Sequence, residues 1–510
     1  MEEKNTGKVW LVGAGPSDPG LFTLKGKQVL EEAEVVVYDA LVGQAILNMI
    51  PDTAEAVNVG KRSSNHIMVQ EKINELLAQK AKEGKRVVRL KGGDPFLFGR
   101  GGEEIELLVK EHVPYEVVPG ITSAISVPAY QGIPVTHRDF CSSVHIITGH
   151  KRAGKSYDID FEALVRTKGT LVFLMGVSSL GDICRGLLEA GMDAEKPAAL
   201  LIRGTTASQE RIVATVGTLE EEVKRRGAKT PAIIVVGDVC ALAEDFSWYD
   251  KLPLGGVRVL LTRPKELISE TARKLRALGA EVLELPSIRT VKIENNEKLH
   301  RALAELERYD WLVFTSPTGV RIFFEELSSQ KMDVRKLGHV KIAAIGGGTK
   351  KELAKHGLYA DLLPEIFDGE HLGKALAENC RAGERVLIPR AAAGNQELVD
   401  ALQGICSVDD IPTYDTVYES GRLIDERAEL ENGTIDYVVF TSASTVRGFA
   451  AAVGEIDYTK VKAICIGRQT REAADKMGMQ TWMSQKASID SLVDRLAEVH
   501  KGEQEWSRPD

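Results

Sequence analysis

Short apolar runs alternate with longer amphipathic stretches along the chain. The apolar runs are rich in β-branched residues and have the length of single strands: Lys8–Val12, Glu34–Tyr38, Arg86–Leu90, Tyr115–Val118, Leu171–Leu174 and Ala232–Val236. Runs of this kind are typical of strands buried on both faces of a mainly parallel sheet. Between them, segments such as Gly102–His112 carry apolar residues at the spacing of one helical face. The pattern predicts an α/β fold with helical crossover connections.

The rhythm breaks at Asp250–Gly256, where a proline and a glycine pair interrupt any periodicity. The alternation then restarts with a strand at Val257–Thr262, a helix at Ile268–Leu278 and a strand at Glu281–Leu285. We therefore predict a first part over residues 1–250, a linker at 251–256, a second part over 257–500 and a polar tail at 501–510.

The second part contains an internal repeat. Three segments recur in the same order: RVLLTR (258–263) as RVLIPR (385–390), FTSPTGV (314–320) as FTSASTV (440–446), and AIGGGT (344–349) as CIGRQT (465–470). The offsets of 127, 126 and 121 residues are nearly constant, which predicts two similar lobes. Clefts between lobes are frequent ligand sites. The TSxxxV and GxxT segments are expected to begin helices, whose N-terminal N–H groups favour anions.

The first glycine-rich loop, GAGPSDPG (13–20), follows the opening strand. It does not fit a dinucleotide fingerprint, because Asp18 stands where the third glycine belongs and Pro16 lacks an N–H for a pyrophosphate. A plain strand-to-helix turn is the other interpretation of this loop.

The second glycine-rich loop, RLKGGDPFLFGRGGE (89–103), has five glycines that would let the backbone approach a ligand closely. Asp94 offers a carboxylate to an amine or a ribose hydroxyl, and Lys91 and Arg100 supply positive charge. The embedded charges favour a binding role over a purely structural one.

Nine segments of the first part occur in an order that matches a known family. They are GAGPSDPG (13–20), VVYDALV (36–42), VGKR (59–62), LKGGDPFLFGRGGEE (90–104), VPGITSA (118–124), GIPVTHRD (132–139), TGH (148–150), TLVFLMG (170–176) and PAIIVVGDV (231–239). Over residues 7–250 the chain resembles uroporphyrinogen-III C-methyltransferase and, more loosely, the larger tetrapyrrole methylase family. The resemblance implies a non-Rossmann fold of two α/β subdomains (about 7–138 and 139–250), S-adenosylmethionine as methyl donor, and a homodimer formed through this half.

The same resemblance implies particular site residues. It implies contacts to S-adenosylmethionine at Pro16, Gly92, Gly93, Asp94, Leu97, Thr122, Ser123, Met175 and Gly204. It also implies Asp39 as proton acceptor and Lys61 as proton donor, with a helix N-cap as the alternative role of Asp39. Ser17 departs from the family pattern, which usually has glycine there. A positive φ at this position would strain the loop.

Methyl transfer to a tetrapyrrole suits these residue types. A carbon of the reduced macrocycle is nucleophilic, so transfer from a sulfonium mainly requires alignment, and a carboxylate such as Asp39 can then accept the ring proton. The substrate, uroporphyrinogen III, carries eight carboxylates, for which the candidate partners are Lys61, Arg62, Arg100 and Arg138. A solvated surface charge is the alternative for each arginine. No second ligand lies at helical spacing from His137 or His150, so no metal site is predicted.

The second part combines its duplicated segments with DIPTYDTVY (410–418), LLTRP (260–264), YDWLVFTSPTGV (309–320) and AAIGGGTKKEL (343–353). Over residues 257–490 these motifs resemble uroporphyrinogen-III synthase. The resemblance implies a first lobe at 257–289 plus 419–500 and a second lobe at 290–418. It also implies cyclisation of hydroxymethylbilane, with inversion of ring D and without a cofactor.

In this second resemblance Tyr414 assists departure of the substrate hydroxyl. The hydroxyl residues implied to bind the substrate carboxylates are Ser316, Thr349, Ser442 and Thr470. A packed aromatic with its hydroxyl bonded to backbone is the alternative for Tyr414, and an ordinary helix cap is the alternative for the threonines.

Composition restricts the class of function. The 510 residues carry a net charge of −9 and neither half is basic, so no nucleic-acid partner is expected. No apolar run approaches the roughly 18 residues of a membrane span, and the polar N-terminus has no signal-peptide pattern. The six cysteines lie at least 26 residues apart, which fits neither a zinc motif nor a disulfide framework. We expect a cytoplasmic protein with reduced thiols and no membrane partner.

These observations lead to a bifunctional hypothesis. The second part cyclises hydroxymethylbilane to uroporphyrinogen III, and the first part adds methyl groups at C2 and C7 to give precorrin-2, a precursor of sirohaem and cobalamin. One alternative is a methylase of the same fold with another substrate, although the acidic charge balance argues against RNA. The other is an active methylase joined to a non-catalytic bilobal module that binds anions.

Overall fold

The computed structural model describes residues 6–60, 68–149, 159–228, 230–262, 265–394, 396–418 and 425–506. The chain divides into two compact units, Met1–Val259 with Lys274–Leu283 and Leu260–Arg273 with Glu284–Asp510. The main division falls a few residues beyond the predicted linker at 251–256. Leu254 in that segment is fully buried, so the segment is packed and is not an extended chain in solvent.

The first sheet consists of five parallel strands. Its strands are β1 (Lys8–Gly13), β2 (Val35–Tyr38), β3 (Glu55–Asn58), β4 (Arg86–Lys91) and β5 (Tyr115–Val118), and its helices are α1 (Leu24–Glu31), α2 (Gln44–Leu47), α3 (Gln70–Lys82), α4 (Gly101–Lys110) and α5 (Ser123–Tyr130). The strand order is β3-β2-β4-β1-β5. Because parallel strands end at the same edge, the loops that follow β1, β2, β4 and β5 lie together there.

The second sheet is mixed, so the prediction of a mainly parallel sheet is wrong for this part of the chain. Its strands are β6 (Val144–Thr148), β7 (Thr170–Leu174), β8 (Pro197–Ile202), β9 (Glu210–Thr215) and β10 (Ala232–Val236), with helices α6 (Phe161–Thr167), α7 (Leu180–Glu189) and α8 (Leu219–Arg226). In the order β6-β7-β10-β8-β9 only β6 and β7 pair in parallel. Apolar layers cover both faces of β10. An apolar run indicates that a strand is buried on both faces, but it does not indicate the direction of that strand.

Two further sheets follow. Their strands are β11 (Arg258–Leu261), β12 (Glu281–Glu284), β13 (Ile288–Lys292), β14 (Trp311–Phe314), β15 (Lys341–Ala344), β16 (Arg385–Ala391), β17 (Ser407–Tyr418), β18 (Tyr437–Phe440), β19 (Lys462–Cys465) and β20 (Gln480–Met483). Their helices are α9 (Lys265–Ala277), α10 (Glu297–Ala304), α11 (Pro317–Ser329), α12 (Gly347–Lys355), α13 (Gly369–Asn379), α14 (Glu397–Asp400), α15 (Glu426–Glu431), α16 (Ala443–Val453), α17 (Arg468–Asp475) and α18 (Ile489–Trp506). Short 3₁₀ helices occur at Pro19–Leu21, Val177–Ser179, Asp238–Leu242, Leu306–Arg308, Val334–Leu337 and Tyr458–Lys460.

The strand order confirms the internal duplication predicted from the repeat. The orders are β12-β11-β18-β19-β20 and β13-β17-β16-β14-β15. The repeated segments supply β11, β18 and β19 to one sheet and β16, β14 and β15 to the other. The three equivalent strands are neighbours in the same spatial order in both sheets. The chain enters the last sheet through β13 and leaves it through β17, and these two strands pair antiparallel.

Candidate functional site

Three glycines from three loops touch at the carboxyl edge of the first sheet. A Cβ atom added to Gly13 would lie 2.5 Å from Cα of Gly120, and one added to Gly120 would lie 2.2 Å from the carbonyl oxygen of Gly93. Gly15 and Gly93 also exchange two backbone hydrogen bonds of 3.1 and 2.8 Å. The two glycine-rich loops predicted to bind a ligand are therefore joined, and there is no room for a side chain at Gly13 or Gly120.

Asp94 orders this junction through its carboxylate. Oδ1 accepts hydrogen bonds from the backbone N–H groups of Phe96 and Leu97, at 2.8 and 3.0 Å. Oδ2 accepts one from the N–H of Gly120 at 3.0 Å. All three donors are backbone groups, so Asp94 fixes the shape of its own loop and ties that loop to the end of β5.

The loop that follows β8 of the second sheet approaches the same loops. The hydroxyl of Thr205 donates to the carbonyl oxygen of Pro16 at 2.7 Å. A Cβ at Gly204 would lie 2.3 Å from Cγ1 of Val127 on α5. The predicted donor-binding residues Pro16 and Gly204 are thereby linked to the first sheet through adjoining loops.

The remaining predicted donor-binding residues lie on these or neighbouring elements. Thr122 caps α5, with its side chain accepting from the N–H of Ala124 at 3.3 Å, and Ser123 is the first residue of that helix. Leu97 packs against the apolar cluster that contains Ala124. Met175 follows β7 and its side chain is 52% exposed.

Left-handed backbone is concentrated in these loops. The φ angles are +118° at Ser17, +57° at Met175, +45° at Arg203 and +68° at Thr205. Such conformations cost about 1–3 kcal/mol each in residues other than glycine, and they cluster where a structure holds a ligand. At Gly93 (φ +70°) no atom lies within 4 Å of the position that a Cβ would take. An open glycine backbone next to a helix N-terminus fits a polar ligand such as S-adenosylmethionine, which the resemblance implies.

Ser17 provides a stability test of this strain. Because φ is +118° at Ser17, we expect Ser17→Gly to raise the free energy of unfolding by about 1 kcal/mol after the entropy cost of glycine is deducted. Urea titration of the full chain measures this change. Ser142 is exposed and has an ordinary φ, so Ser142→Gly should instead be neutral or slightly destabilising. Equal effects of the two variants would contradict the strain at Ser17.

Asp39 lies at the end of β2, beside the glycine junction. Its Oδ1 accepts from the N–H of Leu41 at 3.0 Å, and both carboxylate oxygens lie 3.4 Å from the N–H of Gly92. The alternative role as a helix N-cap is not observed, because Gly43 caps α2. The side chain is 28% exposed, so its carboxylate is accessible at the edge where the loops meet.

The cations predicted to bind carboxylates have different surroundings. Lys61, the predicted proton donor, and Arg62 lie outside the described residues, as does His150. Arg100 is exposed and pairs with Glu103 in the first turn of α4, with 2.9 Å between Nε and Oε1. Arg138 is exposed.

The prediction that Lys91 lends positive charge to a ligand site is wrong. Its side chain is buried, and Nζ lies 2.8 Å from Oε1 of Glu104, which is itself fully buried. Arg89 donates from Nε to the same oxygen at 3.0 Å. Arg89 and Glu104 were not predicted. The available signal was the spacing of Arg89 and Lys91, two residues apart in β4, which places both side chains on one face of that strand.

In the second half, Tyr414 on β17 meets the N-terminus of α11. Its hydroxyl oxygen lies 2.7 Å from Oγ of Ser316, the N-cap of α11, which accepts from the N–H of Gly319 at 3.0 Å. The alternative in which this hydroxyl is bonded to backbone is therefore not observed. Burial raises the pKa of Tyr414, while the Ser316 hydrogen bond and the charge of Arg321 oppose the shift. The phenol thus keeps its proton at neutral pH.

The duplicated helix starts have matching geometry. Ser442 caps α16 and forms a capping box with Thr445, at the position equivalent to Ser316. Gly346 and Gly467 cap α12 and α17. Thr349 and Thr470 are the third residues of these two helices and are buried. Neither threonine is the N-cap, so the ordinary cap is not their role.

No group of three or more His, Cys, Asp or Glu side chains among the described residues is arranged to hold a metal ion. None of the described helices combines the length and apolar character that crossing a bilayer requires.

Two family models match the chain. The family described as "Tetrapyrrole (Corrin/Porphyrin) Methylases" matches residues 8–220, and "Uroporphyrinogen-III synthase HemD" matches residues 269–494. A relative named "Porphyrin biosynthesis protein HemD" from Ruminiclostridium josui is 48% identical over 497 residues, which cover 97% of this chain and 99% of the relative. The uroporphyrinogen-III C-methyltransferase of Bacillus subtilis (strain 168) is 42% identical over 352 residues, or 69% of this chain and 72% of the relative.

A solved structure is also similar to part of the chain. It is a uroporphyrin-III C-methyltransferase from Thermus thermophilus complexed with S-adenosyl homocysteine, 39% identical with a TM-score of 0.40. The similarity covers 46% of this chain and 99% of that protein.

Proposed function

Because the chain belongs to the family of proteins that join a tetrapyrrole methylase to a uroporphyrinogen-III synthase, we propose that it carries out two consecutive steps of tetrapyrrole synthesis. Its second half cyclises hydroxymethylbilane to uroporphyrinogen III, and its first half methylates that product at C2 and C7 to give precorrin-2. The observation that carries the proposal is the glycine junction of Gly13, Gly93 and Gly120, ordered by Asp94 and flanked by the accessible carboxylate of Asp39.

In the first half, the residues at the junction would hold S-adenosylmethionine, which supplies an electrophilic methyl group when bound. They are Pro16, Gly92, Gly93, Asp94, Leu97, Thr122, Ser123, Met175 and Gly204. Rigid placement of donor and acceptor is the main contribution expected of them, since alignment alone can lower a barrier by several kcal/mol. The exposed guanidinium groups of Arg100 and Arg138, with Lys61 and Arg62, would bind the substrate carboxylates.

Asp39 would accept the proton that the macrocycle must lose after methylation. C2 and C7 already carry a side chain and hold no hydrogen, so the proton leaves from a neighbouring bridge carbon. That C–H bond breaks, its electron pair neutralises the cationic ring system, and the carboxylate becomes a carboxylic acid. Two properties support this role: the carboxylate is accessible, and it lies beside the N–H of Gly92 at the start of the donor-binding loop. Lys61 would act as proton donor.

In the second half, the protonated phenol of Tyr414 would donate its proton to the departing hydroxyl of hydroxymethylbilane. The Tyr414–Ser316 pair lies at the N-terminus of α11, where unpaired N–H groups favour an anion. Substrate carboxylates would bind at this terminus and at the equivalent one capped by Ser442, with Thr349 and Thr470 in the first turns of the neighbouring helices. No cofactor is assigned to this half.

Tyr414→Phe tests the synthase half. We expect ring closure to slow about 10- to 100-fold, since general acid catalysis is lost, and methylation of added uroporphyrinogen III to stay unchanged. The measurement is the rate and isomer ratio of uroporphyrinogen formed from hydroxymethylbilane. Tyr418 is exposed on the same strand, so Tyr418→Phe is the matched control. A wild-type rate for Tyr414→Phe would leave Tyr414 a packing residue.

The whole proposal is tested by incubating the full chain with hydroxymethylbilane and S-adenosylmethionine. We expect a type III product that carries two additional methyl groups. Formation of the type I isomer would make the second half a binding module, and an unmethylated type III product would assign the methylase another substrate. A homodimer formed through the methylase half and a cytoplasmic location are further parts of the proposal.

A further inference from the structure

A cluster of buried charges lies beneath Asp39. Arg89 and Lys91 on β4 are each 4% exposed, and Glu104 on α4 is 0% exposed. Oε1 of Glu104 accepts three hydrogen bonds: from Nε of Arg89 at 3.0 Å, from Nζ of Lys91 at 2.8 Å and from Nε2 of Gln70 at 3.2 Å. Two cations therefore share one buried carboxylate, which leaves one positive charge without a counter-charge.

Asp39 supplies the missing negative charge. Nη2 of Arg89 lies 3.8 Å from Oδ2 of Asp39. Arg89, Lys91, Glu104 and Asp39 together comprise two cationic and two acidic side chains, and uncompensated charge in a protein interior is costly. The pKa of Lys91 is lowered, mainly by burial and next by the neighbouring positive charge of Arg89.

The guanidinium of Arg89 is fixed in orientation. Nε is bonded to Glu104, and Nη1 donates to the carbonyl oxygens of Val37 at 3.3 Å and Leu90 at 3.1 Å. Val37 is in β2, the strand that ends immediately before Asp39. These contacts direct the remaining nitrogen, Nη2, toward the carboxylate.

We infer that Arg89 is a positioning residue for the acceptor carboxylate: backed by Glu104 and Lys91, its guanidinium pairs with Asp39 and holds that carboxylate in place before the proton leaves the substrate. This inference rests on the proposed role of Asp39 as proton acceptor. The charged groups described around Asp39 are Arg89 and Lys91 from β4 and Glu104 from α4. A purely structural tie between β4 and α4 would require the Arg89–Glu104 pair but not the contact to Asp39.

The test is the pH dependence of methyl transfer by the full chain, with uroporphyrinogen III and S-adenosylmethionine as substrates. Removing a cation near a carboxylate makes protonation easier, so Arg89→Met should move the acidic limb of the kcat profile upward by about one pH unit. Below that limb kcat should fall about 10-fold, whereas the plateau at high pH should stay near the wild-type value. Arg89→Lys keeps the charge and should leave the limb close to its wild-type position.

Arg86 provides a matched control. It lies on the same strand, is exposed and pairs with Glu32, so Arg86→Met should leave the limb unmoved. If Arg89→Met does not fold, Arg89→Gln removes the same charge and keeps a hydrogen-bonding side chain opposite Glu104. Its limb should also move upward.

Two results overturn the inference in distinguishable ways. An inactive Asp39→Asn variant combined with an unmoved limb in Arg89→Met, or in Arg89→Gln, contradicts the role of Arg89 alone. A wild-type rate for Asp39→Asn contradicts the proposed role of Asp39 and the inference together.

Discussion

Replacing Asp94 with alanine is expected to weaken S-adenosylmethionine binding at least about 100-fold. The carboxylate accepts from the N–H groups of Phe96, Leu97 and Gly120, and a hydrogen bond to a charged group contributes about 1.5–3 kcal/mol. Loss of two such bonds amounts to about 3 kcal/mol, or more than 100-fold in affinity. Calorimetric titration of the full chain with S-adenosylhomocysteine measures the effect, while cyclisation of hydroxymethylbilane should continue at the wild-type rate.

Two comparison variants make the Asp94 experiment specific. Asp139 is an exposed carboxylate of the same half, so Asp139→Ala should leave affinity unchanged. Asp94→Asn should be intermediate, because its amide oxygen can still accept from Phe96 and Leu97 but its NH₂ group would face the N–H of Gly120. Wild-type affinity in Asp94→Ala would show that this loop does not bind the donor.

Replacing Asp39 with asparagine is expected to reduce the rate of methyl transfer by about 10²–10⁴-fold. Asparagine keeps the shape of the side chain and can still accept from Leu41, but it cannot take a proton from the methylated macrocycle. Affinity for S-adenosylhomocysteine should therefore stay within about threefold of wild type, since the loop geometry is preserved. Single-turnover assays with uroporphyrinogen III separate the chemical step from binding.

The control for Asp39 is Asp245, an exposed carboxylate of the same half. Asp245→Asn should methylate at the wild-type rate. If Asp39→Asn instead lost affinity for S-adenosylhomocysteine in proportion to its loss of rate, Asp39 would be a loop-ordering residue and not the proton acceptor.

Several strand positions in the first half follow from the sequence because short apolar runs mark them. The predicted runs Tyr115–Val118 and Ala232–Val236 coincide with β5 and β10. Strand direction did not follow, since β10 pairs antiparallel with both of its neighbours. Burial leaves an apolar signature, whereas direction depends on connections that local composition does not encode.

The candidate site was predictable where backbone geometry demands a particular residue. Glycine at Gly13 and Gly120 is required because an added Cβ would clash with neighbouring backbone, and these glycines are visible directly in the sequence. The network beneath Asp39 was not predicted, because Lys91 and Glu104 look like ordinary charged residues until the fold buries them together.

The second half shows the same contrast. Recurring segments predicted two similar lobes, because equivalent strands and helix starts require equivalent residues. The contact between Tyr414 and Ser316 joins residues 98 positions apart, and no local pattern indicates such a pairing. Sequence supplied the parts of this site, and only the fold brings them within hydrogen-bonding distance.

The central claim is that the methyl donor binds at the glycine junction, and a crystal structure of the full chain with S-adenosylhomocysteine bound tests it most directly. We predict density for the ligand against the Gly92–Asp94 turn and the N-terminus of α5, with Met175 and Gly204 on the opposite side and Asp39 facing the substrate space. Ordered ligand at any other place in the methylase half would contradict the assignment of the donor site.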